Sequence, residues 1–219
     1  MAAMAARLIP SRQTILPKRL QAPGPADHEL ALILDAAAHA PDHGQLMPWR
    51  FILVPAASRA LLADVFAQAL RERDPAATPE QSTQAREKAY RAPVLLLAVV
   101  DAAGRGGGGG GGGGAGDALG AAGTAGANVD VAERIVSAGC ALQNMLLMAT
   151  AQGYGSALTS GKALKSTGLR ALFGLSASEQ ALCFVSIGTI QSRRAARQRP
   201  PASAYVSTLG AHGHTVPGF

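Results

Sequence analysis

The residues able to bind or react are few and fall in short clusters. Ser11-Arg12-Gln13-Thr14 sets a guanidinium beside an amide and two hydroxyls. That set suits anionic oxygens, because an arginine fork offers paired charged donors. His39-Ala40-Pro41-Asp42-His43 brings two imidazoles and a carboxylate together just before Met47-Pro48-Trp49. His39 is placed either to satisfy the last carbonyls of a preceding helix or to touch a cofactor. Basic residues gather at both ends, with Arg12, Lys18 and Arg19 near the start and Arg193, Arg194, Arg197 and Arg199 near the end, in a chain of net charge +6. Such segments are either solvated stretches or sites for nucleic acid or a small-molecule phosphate. No helix-turn-helix, zinc-finger or aromatic RNA-binding pattern accompanies them, and aromatic residues make up only 4% of the chain, too few for base stacking. The expectation is no nucleic acid.

The usual self-sufficient catalytic sets are missing from the sequence: there is no GxSxG, no HExxH and no Walker loop. The two cysteines, Cys140 and Cys183, sit in apolar segments with no CxxC or Cys/His pairing, so no metal site is expected. They read as buried thiols of a reducing cytosol. The glycine run Gly106–Gly114 lacks the fixed turns and the lysine of a nucleotide loop. An enzyme without its own acid, base or metal set works when a cofactor carries the chemistry.

The surrounding elements must hold those clusters in place. Residues Arg7 to Pro25 read as a basic, proline-punctuated arm with room for one short helix. Asp27 is a candidate cap for a helix to about His39, faced by Leu30, Leu32, Ile33, Leu34 and Ala37. Trp49 to Val54 is a strand candidate. Ser58 is placed to cap a second helix, and Thr78-Pro79-Glu80-Gln81 is a capping box opening a third, to about Tyr90. Pro93 to Val100 is a near-continuous apolar run, the pattern of a strand buried on both faces. Residues 104–128 read as a flexible Gly/Ala-rich insertion, since glycine packs nothing and has most backbone entropy to lose.

A long helix follows from Asn128 or Asp130 to about Gln152, stopped by Gly153. It is apolar nearly all round, so it must be buried centrally or between subunits. Gly153 to Gly161 is a tight small-residue segment, Lys162 to Phe173 a helix, Ser176 to Glu179 a second capping box, and Ala181 to Ile187 a strand. Residues 195–219 form a basic tail. Helices separated by a few buried strands, without regular βα alternation, indicate an α+β fold in a single domain over 1–219. No apolar stretch is long enough for a membrane span and the start is no signal peptide, so a cytoplasmic protein is expected.

Four segments, in order, resemble the nitroreductase-like flavoprotein family, in its compact bacterial NAD(P)H nitroreductase branch. They are Ser11 to Thr14; His39 to His43 running on to Met47-Pro48-Trp49-Arg50-Phe51; Ser137 to Ala149 leading into Gln152-Gly-Tyr-Gly-Ser156; and Val185-Ser-Ile-Gly-Thr189. The resemblance implies an α+β sandwich with a central mixed or antiparallel sheet flanked by helices, and an interlocked homodimer with FMN at the subunit interface. It also implies hydride transfer from NAD(P)H to a nitroaromatic, quinone or similar acceptor by ping-pong turnover. Carried over by position, Arg12, Gln13 and Thr14 would hold the flavin phosphate and ribityl chain, and Arg193 would add a second phosphate contact. His39 and His43 would approach from the partner subunit, and Ala157, Leu158 and Thr159 would line the ring through backbone groups. The chain departs from the pattern at Gln13, where relatives often carry a second arginine, and at Leu158 and Thr159, where relatives can carry tryptophan and arginine. No side chain is named as a proton-transfer catalyst. The alternatives are a flavin enzyme for one specific metabolite and a non-catalytic FMN-binding or basic interaction protein.

Overall fold

The computed structural model describes residues 1–102, 129–211 and 213–218. The expected insertion at 104–128 lies outside them. The chain opens on α1 (Ala2–Ser11), so the first part of the arm is helical. Pro10 lies in the last turn of α1 and donates no N–H to the Ala6 carbonyl, and the helix closes with the Arg12 N–H on the Leu8 carbonyl at 3.3 Å. A 3₁₀ turn (Pro17–Arg19) leads to β1 (Leu20–Gln21). Helix α2 (Asp27–Asp35) begins one residue before the expected cap: Ala26 is the N-cap, and Glu29 accepts the Ala26 N–H at 2.8 Å. Asp27 therefore acts as a first-turn acid rather than a cap. A 3₁₀ turn, Ala36–His39, finishes the segment.

Strand β2 (Trp49–Leu53), helix α3 (Arg59–Arg73), helix α4 (Pro79–Glu87) with a 3₁₀ turn (Lys88–Tyr90), and β3 (Val94–Asp101) follow close to expectation. The Thr78 box is made as read: Thr78 Oγ1 accepts from the Gln81 N–H at 3.2 Å, and Gln81 Oε1 accepts from the Thr78 N–H at 2.9 Å. Ser58 stands at the N-cap of α3 but makes no capping hydrogen bond with its side chain. Helix α5 (Val131–Ala151) is capped by Asp130, whose carboxylate accepts from the Ala132 N–H at 3.0 Å. Gly153, at φ +85°, takes the left-handed conformation that ends the segment.

Three expectations give way here. Gly155–Thr159 is a strand, β4, because it pairs along β5. The helix expected over Lys162 to Phe173 is interrupted at Ser166, which is extended. A 3₁₀ turn (Lys162–Lys165) precedes it, and the Ser166 hydroxyl caps α6 (Thr167–Leu172), accepting from the Leu169 N–H at 3.2 Å. Ser176 to Glu179 keeps box-like bonds, with the Ser176 N–H donating to Glu179 Oε2 at 3.0 Å, but it is a turn into β5 (Glu179–Ile190). The apolar run behind it satisfies its backbone by pairing with β3, and no helix starts.

Every strand pairing is antiparallel. β5 lies between β3 on one edge and β4 and then β1 on the other, with β2 beyond β3. The sole parallel contact among the described residues is the Thr14–Ser156 bridge. The sheet separates two cores. Leu96, Ala98, Val100, Val185 and Ile187 face Ile33 and Ala37 and, on α5, Leu142, Met145 and Ala149. Leu95, Leu97, Val99 and Phe184 face Leu62 and Ala63 of α3, Leu164, and Leu169 of α6. β3 is thus buried on both faces, as its composition requires. Helix α1 lies against α5. In the tail, an exposed hairpin, β6 (Ser207–Leu209) and β7 (Thr215–Pro217), stands apart from the sheet. No helix of the described residues is long and apolar enough to cross a membrane.

Candidate functional site

Strand β4 is the edge on which the site is built. Its register with β5 pairs Ala157 with Ser186 and Thr159 with Phe184, so Ala157 and Thr159 face the α3–α4 layer. Outside β4 runs the segment after α1: the Ile15 N–H donates to the Ser156 carbonyl at 2.9 Å, and Thr14 bridges Ser156. Strand alternation then directs the N–H and C=O of Leu158, two residues on, out of the same edge. The approach of the two segments is close. A Cβ on Gly155 would lie 2.7 Å from Ile190 Cγ1 and 2.7 Å from Leu20 Cδ2, so only glycine fits where the arm meets the strand.

Beside that edge, on the α3–α4 face, is a cleft of about 750 Å³. Its floor is apolar: Phe66, Leu70, Ala85, Leu95, Leu164 and Phe184 line it, with Phe184 packed edge-on against Phe66 at 5.6 Å between centroids. Its rim is basic, with Lys18, Arg73, Lys88, Arg91 and Lys162 drawn from four separate segments. Among the described residues none of the five makes an ion pair, and Asp74 is the single carboxylate lining the cleft. By contrast, Arg86, one turn from the cleft, is held by Asp64, and Arg50 is held bidentately by Glu179 at 2.6 and 3.1 Å. An apolar floor, an open strand edge and an unneutralised cationic rim suit a flat ring carrying an anionic tail.

The α4 wall of this cleft is fixed from behind by Arg59. It is 4% exposed, and its guanidinium donates to four backbone carbonyls: Val54 at 2.8 Å, Ala89 at 2.6 Å, Ala92 at 3.2 Å and Pro93 at 3.2 Å. Burial pulls its pKa below the ordinary value for arginine. The clamped segment 89–93 carries Arg91 and adjoins Lys88.

The residues singled out in the sequence divide into groups. Thr159 lines the cleft, and Thr14, Ala157 and Leu158 flank it on the β4 edge. Arg12 and Gln13 are half-buried just upstream of that edge and are not among the cleft-lining residues. His39 and His43 belong to the other layer, with α2 and α5. His39 is exposed at the end of its 3₁₀ turn, and His43 Nδ1 meets Glu133 Oε2 of α5 at 2.7 Å. The loop after His43 is unusual. Gly44, Gln45 and Met47 all have positive φ, and Asp42 Oδ2 holds it by accepting from the Met47 N–H at 2.6 Å. Non-glycine residues in that region cost on the order of 1–3 kcal/mol each, and such strain gathers at functional segments. Arg193 is exposed in irregular tail and meets none of the others. The sequence reading missed Arg73, Lys88, Arg91 and Lys162 as site residues. No local pattern marks them, because they lie on separate segments that only the fold brings to one cleft.

The family model described as "Nitroreductase family" matches residues 9–189. A Haemophilus influenzae protein named "Putative NAD(P)H nitroreductase" is 32% identical over 174 residues, covering 78% of this chain and 82% of that protein. Among solved structures, a nitroreductase-like family protein from Bacillus cereus superposes with a TM-score of 0.73 at 17% identity, over 93% of this chain and 95% of that one. An FMN-dependent nitroreductase from Clostridium difficile R20291 superposes with a TM-score of 0.56 at 18% identity, over 87% and 90% of the two chains. The matched span runs from the end of α1 through β5 and takes in Arg12 to Thr14, the His39–His43 loop and the whole β4 edge. The chain belongs to the nitroreductase family.

Proposed function

We propose that this chain is an FMN-dependent oxidoreductase that passes hydride from NAD(P)H to a nitroaromatic, quinone or similar acceptor, working as an interlocked homodimer. The observation that carries the reading is the cleft beside Thr159, an apolar floor under five cations with no ion-pair partner among the described residues. A flavin ring suits the floor, and a phosphate suits the rim. Bound FMN would supply the two-electron chemistry, with reductant and acceptor taking turns at one exposed face.

The chain's own groups bind, orient and shield. The Leu158 N–H and C=O would hydrogen-bond the ring's heteroatoms, with Ala157 and Thr159 alongside. Arg12, Gln13 and Thr14 would hold the phosphate and ribityl chain, with Arg193 as a second phosphate contact. His39 and His43 sit in the layer opposite their own chain's cleft, so they would serve the partner's flavin. Helix α5 favours the same dimer, since Ile135 and Val136 are exposed apolar residues on its outer side, at 40% and 65%.

The visible absorption spectrum of the purified protein tests the reading, followed by anaerobic bleaching with NADH or NADPH and recovery on adding a nitroaromatic or quinone. A yellow protein that is bleached and recovers is expected. A colourless protein that binds no added FMN would overturn it. A yellow protein that neither nucleotide bleaches would replace it with the non-catalytic FMN-binding alternative.

A further inference from the structure

The cleft carries more positive charge than one flavin phosphate can neutralise. Lys18, Arg73, Lys88, Arg91 and Lys162 face it, and Asp74, the single lining carboxylate, already accepts the Ala76 N–H at 3.2 Å. A phosphate monoester brings about −1.5 to −2 charge near neutral pH. Counting that group wholly against the rim, with nothing assigned to Arg12 or Arg193, still leaves roughly two positive charges after Asp74. They come from the end of α3, the turn after α4, the arm and the 3₁₀ turn after β4, four segments that meet at one cleft. The other polar cleft groups, such as Gln81, Gln84 and Thr159, are neutral.

We propose that this surplus selects the reductant: the cleft prefers NADPH to NADH, with Arg73 and Lys88 meeting the additional phosphate. This rests on the flavin reading above. The two nucleotides carry the same nicotinamide and the same diphosphate, and differ by one phosphate monoester. A rim of unpaired cations distinguishes them by that group alone, while an uncharged acceptor gains nothing from it. A charge-assisted contact of this kind changes affinity about ten- to hundred-fold. Because the rim is exposed, the preference is screened by salt and shrinks when the Debye length falls below about 10 Å, above roughly 0.1 M.

The test takes the full-length flavin-loaded protein, with FMN content measured first from its spectrum. kcat/KM is then measured for NADPH and NADH with one neutral quinone, at low and at high ionic strength. The expected result is a ratio of at least ten for NADPH over NADH at low salt, falling toward one as salt rises. Arg73→Gln and Lys88→Gln should each lower that ratio in protein that keeps its FMN. A flavin-loaded wild type that uses both nucleotides equally at low salt, or prefers NADH, overturns the preference and leaves the flavin reading standing. A preference that salt does not alter overturns it too, because a shape-based pocket would then be the cause. A protein with no flavin overturns both.

Discussion

Arg59 offers the most direct test of how the cleft wall is held. It is buried and, among the described residues, has no carboxylate partner; its four hydrogen bonds there all go to backbone carbonyls, two of them at 2.8 Å or less. Arg59→Met keeps much of the side-chain volume and removes every donor. The carbonyls of Val54, Ala89, Ala92 and Pro93 then lose a charged partner. An unsatisfied buried polar group costs about 1–3 kcal/mol, and some of the four recover water, so a loss of roughly 3–5 kcal/mol is expected. For a domain of this size each kcal/mol moves the melting temperature by about 2–4 °C, which gives a fall of roughly 6–20 °C. Arg59→Lys offers one ammonium to the same carbonyls and should fall between the two. Circular dichroism melts measure the stability, and FMN titration at a temperature where the variant is folded measures the cleft. Affinity for FMN should drop in both variants, since the clamped segment 89–93 carries Arg91 on the cleft rim. A Met variant melting within about 3 °C of wild type would refute the clamp, because the carbonyls would then have ready replacements for the guanidinium.

Four further outcomes are expected. Arg12→Ala should release FMN on dialysis while staying folded, with affinity down about ten- to hundred-fold; riboflavin, which lacks the phosphate, should bind wild type and variant alike, and unchanged FMN retention would make Arg12 a surface charge. Val136→Glu puts a carboxylate on the exposed outer side of α5 and should give a monomer in sedimentation at micromolar concentration, whereas an intact dimer would remove α5 from the interface. The Tyr154 hydroxyl, donating to Glu29 at 2.6 Å, and the Ala26 N–H hold the Glu29 carboxyl below its ordinary value. That contribution is complete above the unfolded carboxylate range and is lost as pH falls through the lowered folded value, so Tyr154→Phe should cost more melting temperature at pH 7 than in acid; a constant difference would contradict it. Burial pushes the Cys183 thiol up to about 11. A thiol reagent at pH 8 should therefore leave Cys183 unmodified in the native protein and label it after unfolding, as read by peptide mass; native labelling would show that the core opens.

What could be read from the chain follows from where each element's information lies. β3 was legible because eight residues from Val94 to Asp101 are nearly all apolar, and only a strand buried on both faces uses that pattern. The Thr78 box and the Gly153 stop were legible because their partners are within a few residues. β4 was not, because Gly155-Ser-Ala-Leu-Thr159 has small side chains and weak strand preference, and its conformation is imposed by pairing with β5. The Ser166 break inside an apparently continuous helix is likewise set by packing of Leu164 and Leu169 on the sheet. Of the site, the Thr14–Ser156 bridge and the place of Thr159 on the cleft arise from strand pairing, and the basic rim is assembled from residues far apart in sequence. Arg59 carries no signal in the sequence, since nothing local says that four carbonyls, from Val54 and the segment 89–93, converge on it.

The position of β5 has a consequence for synthesis. It is hydrogen-bonded to β3, β4 and β1, yet it is made after all of them. At about 5–20 residues per second, the stretch between the end of β3 and the start of β5 takes roughly 4–16 s to translate. Through that interval one edge of β3, an uncharged apolar ribbon until its final aspartate, has no strand to pair with and resembles the segments that nucleate aggregates. Helices α3 and α4 can cover one face of it early, but the edge waits for β5. Soluble yield should therefore be governed by the rate of chain completion and by chaperone supply, more than by the stability of the finished fold.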